Sequence, residues 1–173
     1  MAVQEIILLG NPALRTPCSI VRNPRSEKVH GVIANLADTL GDFRRRKGFG
    51  RGIAAPQIGS ADRIIYISDE FRGAMINPVI RRRSRQTFRL WDDCLSFPDI
   101  MVEVRRNTSI VVEFQDERGA KKTLKAEGSL SELLQHEIDH VNGILAIDRA
   151  IDLQHIMLRS EFETHTRMTK MRL

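Results

Sequence analysis

Two histidines four residues apart can serve one metal ion together when the chain between them is helical. The stretch His136-Glu137-Ile138-Asp139-His140 therefore constrains this sequence more than any other. On an α-helix, positions i and i+4 lie one turn apart on the same face. Two imidazoles so placed can both reach a divalent ion at about 2.0–2.1 Å. A glutamate directly after the first histidine is a further demand of hydrolytic zinc-type sites, where it takes a proton from water. Gly128 interrupts the strand pattern ahead, and Ser129 with Glu132 has the spacing of a capping box, which predicts a helix start at Ser129. Leu130, Leu134, Ile138 and Val141 then form one apolar stripe. Glu137 falls between that stripe and the histidines, on the half-buried side. An ionised carboxylate there needs a cation or hydrogen bonds. Asp139 points away from the stripe, which suits an outward hydrogen bond or the orienting of a neighbour. Asn142-Gly143 supplies a break after the last histidine.

A chain of 173 residues reads as one domain, 1–173, long enough for a real core. With 42% hydrophobic and 28% charged residues it falls in the soluble globular class rather than the membrane or disordered ones. No apolar run approaches the roughly 20 residues of a membrane span. The short run Ile6-Ile7-Leu8-Leu9 lacks the basic start and long apolar core of a signal peptide, which predicts a protein that stays in the cytoplasm or other compartment where it is made. Two cysteines, Cys18 and Cys94, do not make a disulfide framework and fit a reducing compartment. The net charge of +5 is concentrated in Arg44-Arg45-Arg46-Lys47, in Arg81-Arg82-Arg83-Arg85 and in the C-terminal tail. Such runs could touch an anionic partner such as ribosomal RNA. A solvated face, with cations favourably placed at a helix C-terminus, is the preferred reading. One Trp and one Tyr offer little for base stacking. A monomer is expected.

Residues 1–25 are punctuated by Pro12, Pro17 and Pro24 and read as irregular, with brief strands or turns at Leu14-Arg15 and Ile20-Val21. Val29, Val32, Ile33, Leu36, Leu40 and Phe43 recur at helical spacing, which predicts a scaffold helix over about 26–46 that ends at Gly48. The glycines of Gly48-Phe49-Gly50-Arg51-Gly52 permit unusual dihedrals and close approach of another backbone. The Lys-Ser/Thr of a phosphate loop is missing. A loop along which a peptide can lie and a tight structural turn both remain open. Gln57 ends the segment with an amide that can donate. From Arg63 to Gln115 short β-runs alternate with breaks at Asp-Glu, Asn-Pro and Phe-Pro, and Gln115-Asp116-Glu117-Arg118-Gly119 predicts a hairpin turn before Lys122–Ala126. A last amphipathic helix is expected over about 153–167. The expected class is α+β, with short antiparallel sheets packed around a central metal-binding helix and with N-terminal and C-terminal helices.

Two histidines leave a metal under-coordinated, since catalytic sites commonly use three protein ligands and one open position. Cys94 is the best third candidate, because Cys18 sits in the proline-rich leader. Alone, Cys94 reads as a buried structural cysteine; beside the histidine pair the ligand reading is preferred. A thiolate would suit Fe(II), Zn or Ni.

Three stretches together resemble the signature motifs of the peptide deformylase family. G-x-G-Φ-A-A-x-Q appears as Gly50-Arg51-Gly52-Ile53-Ala54-Ala55-Pro56-Gln57, E-G-C-L-S as Asp92-Asp93-Cys94-Leu95-Ser96, and Q-H-E-x-D-H as Gln135-His136-Glu137-Ile138-Asp139-His140. The likeness extends from Leu9-Gly10-Asn11-Pro12, through Ile76-Asn77-Pro78, to the last helix. It implies a mononuclear metal site and removal of the formyl group from N-formylmethionyl peptides, with Fe(II) favoured and Zn, Ni or Co able to substitute. It implies further that Cys94, His136 and His140 bind the metal and that Glu137 is the catalytic base. Gln57 and the Leu95 amide would stabilise the oxyanion. Arg51, Gly52 and Asp93 would line the bound peptide, whose methionine would sit beside Leu133. Asp92-Asp93 stands where the family has Glu-Gly, Arg51 where a small apolar residue is common, and Ser131-Glu132 where Ala-Arg is usual. Those departures bear on substrate preference. A hydrolase with a shifted formyl-amine substrate and a ribosome-associated protein with a structural metal are the competing readings. Glu137 argues against the second, since a structural metal needs no base.

Overall fold

Local signals delimit the first helix. In the computed structural model, which describes residues 2–170, α1 spans Glu27–Lys47 behind the N-cap Ser26, whose hydroxyl accepts from the Val29 amide at 3.3 Å. Arg44 to Lys47 fill its last turn, and Gly48, at φ 81, ends it in the left-handed region that glycine tolerates best. Val29, Ile33, Leu36, Leu40 and Phe43 are all buried along one stripe, as their spacing requires.

Strands β1 (Gly52–Ala54), β2 (Ile64–Ser68), β3 (Arg72–Arg83), β6 (Ser109–Gln115) and β7 (Lys121–Glu127) form an antiparallel sheet in the order β1-β2-β3-β6-β7. Strands β4 (Thr87–Asp93), β5 (Ile100–Asn107) and β8 (Ile156–Leu158) form a second, in the order β4-β5-β8. Side chains alternate across a strand, so the larger sheet has two apolar faces. Ile53, Ile64, Ala74 and Ile76 pack on α1. Ala54, Ile65, Ile67, Met75, Ile110 and Val112 pack on Leu133, Leu134, Ile138 and Val141 of α2 (Gly128–Val141). Burial of such a side chain is worth about 1.5–3 kcal/mol. It holds in place a helix of 14 residues, a length at which isolated helices are marginal. A third cluster joins Val102 and Val104 of β5 to Leu14, Phe97, Leu145 and Cys94.

Several local expectations are corrected. No side chain caps α2, whose N-cap is Glu127; Ser129 and Glu132 are drawn instead to Arg51. Every residue of α2 from Ser131 to Val141 is buried, so Asp139 does not point outward but lies against Arg106 and Arg149. Asn77-Pro78 does not break a strand. It forms a bulge within β3, where Asn77 takes φ 54 and its side chain holds both backbone groups of Val21 at 2.9 Å. The last helix, α3 (Arg159–Lys170), starts later than expected, because residues 153–158 form a 3-10 turn and the short β8 that completes the second sheet. Leu14-Arg15 lies in a 3-10 turn. Residues 171–173, the end of the basic tail, lie outside the described residues.

Candidate metal centre

Helix α2 enters the space between the two sheets, and β4 ends directly against it. Cys94 follows the last residue of β4, while His136 and His140 face it from successive turns of α2. The ligand atoms of Cys94, His136 and His140 all lie within 4.8 Å of one another, and all three residues are buried. Cys94 Sγ is 3.3 Å from His140 Nε2, which is 3.1 Å from His136 Nε2.

The surroundings set which atom of each ring faces inward. Asp92 Oδ2 lies 3.0 Å from His136 Nδ1, so that nitrogen donates and Nε2 keeps its lone pair toward the cluster. Burial works against the Asp92 charge, yet His136 and Arg106 outweigh it and hold the carboxyl at about 2. Arg106 bridges Asp92 and Asp139, and Arg149 takes the other side of Asp139. Burial keeps His140 well below the ordinary imidazole range, which leaves it neutral as a donor must be. Burial also acts to lower His136, but Asp92 and Cys94 raise it well above that range. The field at its inward nitrogen therefore calls for positive charge.

Glu137 is 3% exposed, and its Oε2 is buried with no hydrogen-bond partner among the described residues. Burial pushes its carboxyl up to about 7. An orphaned buried carboxylate oxygen beside a soft thiol and two imidazoles is a donor set that a single divalent cation fits. Gln57 lies against the thiol of Cys94. Its carbonyl accepts from the Ala54 amide at 2.9 Å, which turns the Nε2 donor toward Ser96 Oγ at 3.1 Å and Cys94 Sγ at 3.6 Å.

A cavity of about 370 Å³ opens from the cluster. The loop carrying Gly50, Arg51 and Gly52 forms one wall and Leu90 to Asp93 the other, with Leu95, Leu133, His136 and Glu137 at its inner end. Both walls come from outermost strands, β1 of one sheet and β4 of the other. All nine site residues read from the sequence are thus gathered at the cluster or on the cavity beside it. Asp93 is not an unpaired charge in the groove, because Arg159 binds its carboxylate at 2.8 Å and lies over the Phe49 ring at 4.0 Å.

Sequence reasoning missed Arg106, Ser96 and Arg159. Arg106 had a signal: it continues the inward phase of Val102 and Val104 along β5, and an arginine on a buried phase demands acidic partners. Ser96 stood in the Asp92–Ser96 motif with no role read for it, and Arg159 carried no signal, since its partner Asp93 is 66 residues away in the chain.

Comparison with known proteins agrees with this geometry. Residues 3–155 match the family described as Polypeptide deformylase. A peptide deformylase of Prochlorococcus marinus is 37% identical over 168 residues, covering 93% of this chain and 78% of that protein. The Thermotoga maritima peptide deformylase is 34% identical over 168 residues, covering 96% and 98%. The crystal structure of peptide deformylase from Thermotoga maritima superposes with a TM-score of 0.81 at 33% identity, covering 88% of this chain and all of that one. A Synechococcus elongatus peptide deformylase in complex with actinonin gives 0.81 at 31% identity, covering 88% and 81%. With its metal-donor cluster at the junction of two sheets and its sequence matched across nearly the whole length, this chain belongs to the polypeptide deformylase family.

Proposed function

We propose that this protein hydrolyses the N-formyl group from the formylmethionine end of newly made polypeptides, releasing formate. The observation that carries the reading is the convergence of Cys94, His136 and His140 beside an unpartnered buried oxygen of Glu137, at the inner end of a groove. Those three residues would hold one divalent ion, Fe(II) by family resemblance, with Zn, Ni or Co as substitutes. Such an ion polarises a carbonyl oxygen and makes water more acidic.

The chain's own groups supply the rest. Glu137 takes a proton at Oε2 as water adds to the formyl carbon, and delivers it to the departing amine. The Gln57 Nε2–H and the Leu95 backbone N–H donate to the oxyanion that develops. The peptide lies as an extra strand between the outer edges of β1 and β4, along Arg51-Gly52 and Asp93, where unpaired backbone groups can satisfy its own. Asp92 keeps His136 in the tautomer that presents Nε2, and Arg106 holds Asp92 charged. No helix among the described residues is long and apolar enough to cross a membrane. A monomer acting in the cytoplasm, with its basic runs solvated or near ribosomal RNA, accords with this reading.

Formate release from formyl-Met-Ala-Ser by Fe(II)- or Ni(II)-loaded protein tests it. Turnover is expected for the native protein. Glu137→Ala is expected to keep its metal and lose turnover. Metal binding without turnover of any formyl peptide would overturn the reading.

A further inference from the structure

Helix α3 stands behind one wall of the groove and reaches the other. Alternation along β4 puts Trp91 and Asp93 on one face and Asp92 on the opposite one. Asp92 turns to His136. Trp91 and Asp93 turn to α3, where Phe162 packs on the indole with ring centroids 5.4 Å apart and Arg159 Nη2 donates to Asp93 Oδ2 at 2.8 Å. The Arg159 guanidinium is fixed at two further points. Its Nε donates to the Pro98 carbonyl at 2.7 Å, and its plane lies 4.0 Å over the ring of Phe49, on the glycine-loop wall. Phe49 is itself seated edge-on against Phe43 of α1, with centroids 5.1 Å apart. A guanidinium so anchored does not swing into the groove.

Leu90, Leu95 and Leu133 give the formylmethionine side chain an apolar lining, which Phe49 and Trp91 extend along the two walls. Asp93 is the exception. Its side chain is 33% exposed on the wall along which the peptide lies, where the family motif has an uncharged glycine. A free carboxylate there, about 5 Å from a charged peptide side chain in water, would change binding about fourfold. Peptides of opposite charge would then differ by about tenfold. We propose that Arg159 is a positioning residue that masks the charge of Asp93, so that the groove accepts nascent chains whatever charge follows the formylmethionine. The inference rests on the deformylase reading above and specifies the substrate range of the same site.

The test compares formyl-Met-Glu-Glu-Ala with formyl-Met-Lys-Lys-Ala on Ni(II)-loaded protein. Neighbouring residues of a bound strand project to opposite sides, so charging both sets one of them toward Asp93. Two quantities are read: KM and kcat for each peptide, and equilibrium affinity for the unformylated products, which needs no turnover. Arg159→Met is expected to shift the ratio toward the lysine peptide by about tenfold, in KM rather than kcat and equally in product affinity. At about 1 M salt, where the Debye length is about 3 Å, the shift should largely vanish. Asp93→Asn/Arg159→Met removes both charges and is expected to return the ratio to within about twofold of native. A merely structural loss would weaken both peptides alike. Asp93→Asn alone leaves the guanidinium unpaired and should shift the ratio the other way, toward the glutamate peptide; it serves if Arg159→Met does not fold. A ratio unchanged in either folded single variant, or a shift that persists in the double variant, overturns the inference while leaving deformylation intact. No turnover of either formyl peptide by the native protein, with product affinities shifting as expected, overturns the deformylase reading instead.

Discussion

Gly52→Ala isolates the role proposed for Glu137 without touching Glu137 itself. Gly52 lies in β1 with an ordinary strand backbone, so strain does not explain the glycine. Space does: a Cβ there would sit 2.6 Å from Glu137 Oε1 and 2.9 Å from both Cδ and Cγ. Restoring a contact of about 3.5 Å requires the carboxylate to retreat by about 1 Å. Glu137 is 3% exposed on a helix buried all round, so the retreat is forced on the reacting groups rather than into solvent. A misplacement of about 1 Å costs on the order of 10²-fold in rate, and overpacking of this kind costs about 1–3 kcal/mol of stability. The expected result is a kcat for formyl-Met-Ala-Ser lower by about 10²-fold, with metal content unchanged. The melting temperature should fall by about 2–4 °C for each kcal/mol lost. Gly31→Ala is the control. A Cβ at Gly31 meets nothing within 4 Å in α1, so that variant should gain up to about 1 kcal/mol and keep full activity. A folded, metal-loaded Gly52→Ala protein with kcat within about threefold of native would refute the argument that Glu137 must occupy this position.

Three further outcomes are expected. Asp92→Asn removes the charge that His136 and Arg106 share, so competition titration should show metal affinity lower by about 10–100-fold, and leaving Arg106 with Asp139 as its only charged partner among the described residues should cost about 1–3 kcal/mol in chemical denaturation. Stripping the metal with a chelator should lower stability by about 2.7 kcal/mol relative to protein held at a hundredfold excess over Kd, and reloading should restore the melting temperature. Cys18, whose thiol burial pushes up to about 11 against the pull of Arg63 and with help from Asp62, is almost wholly protonated at pH 8. Mass spectrometry after iodoacetamide treatment of the native protein should show it labelled at least about 10²-fold more slowly than a free thiol. Rapid labelling of the folded protein would contradict that environment.

What was legible in the sequence divides by the range of the interaction that decides it. The stripe from Val29 to Phe43, the cap at Ser26 and the turn at Gly48 depend on neighbours within the helix, and α1 forms within a residue of the expected bounds. The hairpin between β6 and β7 is equally local, with Asp116 Oδ1 accepting from the Arg118 and Ala120 amides. His136, Glu137 and His140 could be named because their chemistry is rare and their spacing strict, and Cys94 as the thiol best able to complete them, whereas Gln57, Leu95, Arg51, Gly52 and Asp93 were named only through the resemblance to the family's motifs. Where a distant group competes, local logic fails. Ser129 and Glu132 have every local reason to cap α2, but Arg51, 81 residues from Glu132 in the chain, offers a stronger charged partner. Asn77-Pro78 reads as a break until the amide of Asn77 is seen to hold Val21, 56 residues away. Leu153 to Leu158 are helical by pattern, yet the free side of β5 takes three of them as a strand.

The buried charges around α2 explain why a thiolate and two imidazoles suit this position. Four carboxylates, Asp92, Glu132, Glu137 and Asp139, are all less than a tenth exposed. Three guanidiniums face them: Arg106 against Asp92 and Asp139, Arg149 against Asp139, and Arg51 against Glu132. Among the described residues, Glu137 has no cationic side chain paired with it. Counting Cys94 as a thiolate, these described groups would carry two more negative charges than positive ones, and a divalent cation held by Cys94, His136 and His140 would neutralise both. Were the third donor an imidazole, the same ion would leave a surplus positive charge beside Glu137 in a region without solvent to disperse it. The cysteine at position 94 and the glutamate at position 137 are therefore coupled through charge as well as through geometry. With the ion bound, each would make the other easier to keep in a buried helix–sheet junction.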